Sequence, residues 1–408
     1  MAVTMGTTGG RGGASEAALP AALGGSPAFP EGLPLTRVQV PDRAELDRRF
    51  DAILTSGQLT NGDTVRELEE AAAEFLEVPH VVAVASCTSG LMLVLQAFGV
   101  AGGRVAMPSF TFSATAHAAH WAGGLPDFAE VDRETLTLDP ASAASLIDAA
   151  EGSPPAVKAL MATHVYGTPC HVEELDKLSA EWDVPLLYDA AHAFGSRRAG
   201  TPIGGFGAAE VFSLSPTKVL AAAEGGLVAT RDAALAEQIR LGRGYGNPGD
   251  YDCVFPGLNA RMSELHAALA LVSLRTLPER VAHRGALAAA FAARVEGLPG
   301  VRLPALAAGD TSTWKDLTLI VDPVEFGCDV PALAAALKAE GIDSRRYFHP
   351  AVHLQKAYAT TPGAWRLPVT EEMAERVLTV PLWSHMDEAT ILRVADAVTA
   401  IQAHSGQL

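Results

Sequence analysis

Between about residues 80 and 230, short apolar runs alternate with amphipathic stretches. The runs at residues 81–84, 105–107, 125–131, 159–163, 186–188 and 211–214 read as strands, most of them buried on both faces. Between several of them the spacing is helical, at residues 90–98, 114–121, 141–149 and 172–182. Alternation of this kind predicts an α/β fold built on a mostly parallel sheet with helices on both faces. Two more helical stretches, 44–54 and 65–76, flank the turn-like Thr60-Asn61-Gly62-Asp63.

After the last of these runs the pattern lengthens. Residues 262–291 form an Ala- and Leu-rich helical stretch broken around Pro278, which suits a bridge to a second unit. Beyond it, 314–321 and 342–347 read as strands, and 330–340 and 387–403 as helices. The expected organisation is a disordered arm over 1–34, a large domain over 35–285 and a smaller C-terminal α+β domain over 286–408. The arm is Gly-, Ala- and Pro-rich and lacks the basic start and apolar core of a signal peptide.

Composition narrows the functional classes. The chain has 408 residues, 49% hydrophobic and 19% charged, with a formal charge of −17. Such an acidic chain lacks the basic face that nucleic acid or an anionic membrane needs. Residues 81–103 carry no charge, but Ser86, Thr88, Gln96 and several glycines make a strand, turn and helix the better reading than a membrane span. The four cysteines, Cys87, Cys170, Cys253 and Cys328, are widely spaced without a CxxC pair. They indicate no metal site and no disulfide framework, and they fit a reducing cytoplasm. The Ala- and Gly-rich composition is associated with a high-GC bacterial source and secondary metabolism.

Ligands of an open α/β sheet sit beyond the carboxyl ends of its strands. Four polar segments fall at such places. Ser86-Cys87-Thr88-Ser89-Gly90 joins a strand to a helix, so it is either an anion site of free N–H groups or an ordinary N-cap. Asp189 closes the strand at 186–188, where a carboxylate can hold a pyridine nitrogen protonated or simply cap a helix. His192, three residues on, is either a partner for a cofactor's phenolic oxygen or structural. Lys218 follows the strand that delivers Ser213, and no other Lys or Arg lies between Arg198 and Arg231. It is either a solvated surface lysine or, as this apolar flank favours, a buried one whose ammonium form is disfavoured, leaving the neutral amine that Schiff-base formation needs. Gly257-Leu258-Asn259-Ala260-Arg261-Met262 is a polar turn at a helix start. No GxGxxG follows the first strand, which argues against a dinucleotide oxidoreductase.

Taken in order, these segments resemble the DegT/DnrJ/EryC1/StrS family of fold-type I, pyridoxal 5′-phosphate (PLP)-dependent sugar aminotransferases. The resemblance runs from about Leu35 to Val398. It also rests on Ser56-Gly57-Gln58-Leu59-Thr60-Asn61-Gly62, Pro108-Ser109-Phe110-Thr111-Phe112-Ser113-Ala114-Thr115 and His164-Val165-Tyr166-Gly167-Thr168-Pro169. Glu224-Gly225-Gly226, Tyr347-Phe348-His349-Pro350 and residues 377–382 complete it.

The resemblance implies a seven-stranded sheet and a role for each motif position. Lys218 would carry PLP as a Schiff base and move the proton, Asp189 would pair with the pyridine nitrogen, and His192 would contact O3′. Phe112 would stack on the ring. Thr88, Ser213 and backbone amides around Cys87 and Ser89 would hold the phosphate, and Asn259 would reach the phosphate of a neighbouring subunit across a homodimer. Cys87, Leu214-Ser215 and Val219 depart from commoner family residues, but no catalytic group is lost.

The family's sugar 3-dehydratases have His at the lysine position, so Lys218 points to transamination, and a non-catalytic regulator would be expected to lose Lys218 or Asp189. The implied reaction moves an amine from glutamate or glutamine to a nucleotide-linked keto-6-deoxy hexose, with 4-keto favoured over 3-keto. A keto-cyclitol of the scyllo-inosose type is the other acceptor. Arg243, Arg261, Arg345 and Arg346 are candidates for the substrate diphosphate.

Overall fold

The computed structural model describes residues 19–359 and 365–408. Helices α1 (Arg43–Ser56) and α2 (Asp63–Leu76) precede the sheet. Buried Glu264 accepts the N–H groups of Gly62, Thr64 and Val65, which gives the orphan donors at the start of α2 a charged partner.

The central sheet has seven strands. They are β1 (His80–Val84), β2 (Arg104–Pro108), β3 (Leu125–Ala129), β4 (Val157–Thr163), β5 (Leu186–Asp189), β8 (Ala209–Ser213) and β9 (Gly226–Thr230); β6 (Arg197–Arg198) and β7 (Thr201–Pro202) form a separate short hairpin. The order is β1-β9-β8-β5-β4-β2-β3, and only β9 runs against the others. The expected mostly parallel α/β architecture is therefore present. Residues 81–103 resolve into β1, the connecting turn and α3 (Cys87–Ala97). No helix among the described residues is long and apolar enough to cross a membrane.

The antiparallel β9 escapes the sequence pattern because it opens on glycine. A Cβ on Gly226 would sit 2.6 Å from the backbone N of Cys87, so only glycine lets β9 pass the turn before α3. The long helical stretch expected at 262–291 divides into Glu264–Leu274 and Leu277–Arg294, with Pro278 inside the first turn of the second helix, where its missing N–H costs nothing.

A second sheet joins β10 (Val301–Arg302), β11 (Leu317–Val321) and β12 (Val377–Val380), all antiparallel. Its core includes Leu287, Phe291, Leu333, Val394 and Ile401. Residues 342–347, expected as a strand, make only isolated bridges from Ile342 to Leu33 and from Arg345 to Thr379. The chain then leaves β12, and Tyr347 and Phe348 turn to line the cavities described below.

Order begins earlier than Leu35. Residues 1–18 of the expected arm lie outside the described residues, but 19–34 are packed on the second core. Phe29 and Leu33 are buried in it. The Phe29 and Leu33 N–H groups donate to the Glu340 and Gly341 carbonyls, and the Glu340 carboxylate accepts the N–H groups of Ala21 and Ala28 at 2.7 Å each. Two isolated apolar residues carry no periodicity, so the composition of the stretch concealed its anchoring.

Candidate active site

Three strands of the large sheet deliver the site. β1 leads to Ser86 and the first turn of α3, β5 ends on Asp189, and β8 ends on Ser213. A cavity of about 220 Å³ opens between them, lined by Cys87, Thr88, Phe112, Asp189, His192 and Lys218 among others.

Ser86 caps α3 through a reciprocal pair with Ser89: Ser86 Oγ accepts the Ser89 N–H at 3.1 Å, and Ser89 Oγ accepts the Ser86 N–H at 3.1 Å. The Ser89 amide is thus already spent, contrary to its expected place at a phosphate. The N–H groups of Cys87 and Thr88 remain as first-turn donors with no carbonyl four residues back, and Thr88 adds its hydroxyl. Cys87 Sγ points beneath the site, 3.6 Å from the Val211 carbonyl oxygen and 4.0 Å from Asp189 Oδ1. Burial, with Asp189 beside it, pushes this thiol's pKa up and keeps it protonated.

Asp189 is buried and, among the described residues, is bonded by neutral donors only. Thr115, on the helix α4 (Ser113–Trp121), donates its hydroxyl to Oδ2 at 2.7 Å, and the Ala191 N–H reaches Oδ1 at 3.1 Å. Burial raises its pKa despite these bonds. A carboxylate so placed calls for a cationic N–H. Thr115 was visible in the sequence segment but unassigned; Thr111, four residues earlier and ahead of the helix, bonds its hydroxyl at 2.8 Å.

Lys218 lies in the turn after β8, its N–H donating to Ser215 O at 3.0 Å. Burial and the nearby Lys315 charge lower its pKa from 10.5 to about 8. His192 Nδ1 accepts the Tyr166 N–H at 3.0 Å, which assigns the ring proton to Nε2. Burial and the Lys218 charge hold its pKa well below 6.5, so the imidazole is neutral. Phe112 is 61% exposed at the mouth, with the Phe348 ring centre 6.4 Å away.

Asn259 lies apart from this cavity, exposed, accepting from Arg261 at 3.1 Å. Arg243 does not face it either: it is buried, bonded to Glu69 and to the Ala83 carbonyl, and so is unsuited to a substrate diphosphate. Arg345 and Arg346 line a neighbouring cleft of about 470 Å³ beside Phe112 and Phe348, with Arg346 held by Glu375 at 2.5 Å. Arg261 is exposed and stacks 5.6 Å over Tyr245.

Sequence reading missed one charged pair. Lys315 and Asp316, taken as the start of a strand, instead precede β11 and face the far side of the Lys218 pocket. Two charges directly before a mostly apolar, fully buried strand were the available signal.

The residues fit PLP: helix-start donors for a phosphate, a buried carboxylate without a cationic partner, and a poised amine share one cavity. Comparisons with known proteins agree. The model of the DegT/DnrJ/EryC1/StrS aminotransferase family matches residues 41–399. The dTDP-3-amino-3,4,6-trideoxy-alpha-D-glucose transaminase of Streptomyces venezuelae is 33% identical over 359 residues, covering 87% of this chain and 92% of that protein. The crystal structure of DesI with its TDP-sugar product superposes with a TM-score of 0.87 at 36% identity, covering 94% and 96% of the two chains. S. venezuelae DesV in complex with a ketimine intermediate gives 0.82 at 32% identity, covering 90% of this chain and 99% of that one.

Proposed function

The chain belongs to the DegT/DnrJ/EryC1/StrS aminotransferase family and is thereby a PLP-dependent transaminase; we propose that it aminates a nucleotide-linked keto-6-deoxy sugar with nitrogen from glutamate or glutamine. The observation that carries this reading is the meeting of the Lys218 amine and the buried Asp189 carboxylate in one cavity. When bound, the cofactor's protonated ring withdraws electrons from the carbon that gains or loses nitrogen.

The protein's own groups do the rest. Lys218 would hold the cofactor through its side-chain amine, and that amine is the group placed to move the proton at the reacting carbon. Asp189, held by Thr115 and Ala191, would keep the ring nitrogen protonated. Tyr166 occupies His192 Nδ1, so Nε2–H would be free to donate to the phenolic oxygen. The Cys87 and Thr88 N–H groups and the Thr88 and Ser213 hydroxyls would hold the phosphate, and Phe112 would cover a ring face. Ser89 contributes by fixing the turn. Asn259 serves a second copy of the chain in a homodimer, which accounts for its place away from this cavity.

The segment Val165-Tyr166-Gly167-Thr168-Pro169-Cys170 favours a 4-keto acceptor. The Streptomyces relative, named for a 3-amino sugar, favours a 3-keto acceptor instead. With Arg243 committed, Arg261, Arg345 and Arg346 are left for the diphosphate. The test is spectroscopic. Wild-type protein loaded with PLP should show a visible absorbance band that glutamate bleaches, and Lys218→Ala should show neither that band nor turnover. A colourless wild type after reconstitution would overturn the proposal.

A further inference from the structure

Lys315 and Asp316 are a buried pair that the chemistry above does not use. Their side chains are 7% and 5% exposed, with Nζ 2.7 Å from Oδ1. Asp316 Oδ2 is buried and has no hydrogen-bond partner among the described residues. Its near neighbour, His192 Nδ1 at 3.9 Å, already accepts the Tyr166 N–H and has no proton to give. Leaving a buried acceptor unmade is expensive, so the oxygen is poised for a donor from outside the chain.

The location identifies the donor. Both side chains line a cavity of about 190 Å³ that Lys218, His192, Phe112 and Phe348 also bound. The backbone is fixed from two sides: the Lys315 N–H donates to the Tyr166 carbonyl at 2.9 Å, and Arg284 Nη2 donates to the Lys315 carbonyl at 3.0 Å. An ionised carboxylate oxygen accepts only, so it repels a carboxylate ligand and suits a hydroxyl. Lys315 has three N–H donors, and the Asp316 bond uses one.

We propose that Lys315 and Asp316 clamp the hydroxylated ring of the acceptor, Asp316 Oδ2 accepting from a hydroxyl beside the aminated carbon and Lys315 Nζ donating to a neighbouring ring oxygen. The pair is a specificity determinant that selects hydroxylated acceptors over deoxygenated ones. The inference rests on the sugar-aminotransfer reading.

The test uses full-length, PLP-loaded protein with two acceptor pairs, each pair differing by one hydroxyl next to the carbonyl. They are TDP-4-keto-6-deoxyglucose with its 3-deoxy counterpart, and scyllo-inosose with its 2-deoxy counterpart. Wild type should prefer the hydroxylated member of the pair it uses by about 100-fold or more in kcat/KM. Asp316→Asn should reduce that preference to within about threefold, mostly through KM. The double variant Lys315→Met/Asp316→Leu, which leaves no lone buried charge, should do the same if the single variant folds poorly. Calorimetric binding of the corresponding amino-sugar products should follow the same ratios. A preference that persists unchanged in the variants, in both kinetics and binding, would overturn the clamp. Failure of the aminotransfer reading would register separately, as a wild-type absorbance band that glutamate does not bleach.

Discussion

Asp189 and Asp316 are buried carboxylates in adjoining cavities that share Lys218, yet their charge states are set differently. Asp189 has a hydroxyl and a backbone amide for company, and burial raises its pKa. Burial acts on Asp316 in the same direction, but Lys315 at 2.7 Å outweighs it and brings the pKa below the usual value. The depth of burial is similar, so the partner decides. Among the described residues, the large-sheet wall leaves its carboxylate without a bonded cation, whereas the wall before β11 carries its own counter-charge and leaves one oxygen over.

Breaking the Asp189 side should have the largest effect. Asp189→Asn removes one member of the buried pair with the ring nitrogen, a loss of about 3–4 kcal/mol or roughly 10²–10³-fold in kcat. Steady-state rates on cofactor-saturated protein would measure it, and a rate within fivefold of wild type would reduce Asp189 to a helix cap. Breaking the other side should show in stability. Lys315→Met leaves Asp316 uncompensated and should cost about 3 kcal/mol in urea unfolding, while Lys315→Met/Asp316→Leu should recover most of that. Equal losses in both variants would contradict the contrast drawn above.

The smallest effect concerns the amine between the walls. The Lys218 pKa is depressed to about 8, so its reactive neutral form grows as pH rises through that value. Capture of PLP by the apo-protein should accelerate about fivefold from pH 7 to pH 8 and level off above pH 9. A rate that kept climbing tenfold per pH unit up to pH 10 would mean an ordinary lysine.

Much of this was legible in the sequence because parallel strands buried on both faces write continuous apolar runs, and the residues ending them become the site. Asp189, Ser213 and Lys218 were readable for that reason. Cys87, Thr88 and Phe112 also emerge on the cavity, but Ser89 is diverted into the capping box and Asn259 lies elsewhere. Strand β9 was illegible because it opens on a glycine required by a contact with Cys87 that no local pattern encodes. Lys315 and Asp316 were illegible for a similar reason: their burial depends on Tyr166 and Arg284, both distant in the chain.

The anchoring of residues 19–34 has a consequence for biosynthesis. Phe29 and Leu33 share a core with side chains from Leu287 through Ile401. On a ribosome that segment emerges well before its cover, so the seven-stranded sheet can form while those two side chains are still bare. Two large apolar groups made early are thus among the last of this core to be enclosed, and the nascent chain must be kept from premature association there until Ile401 has cleared the exit tunnel.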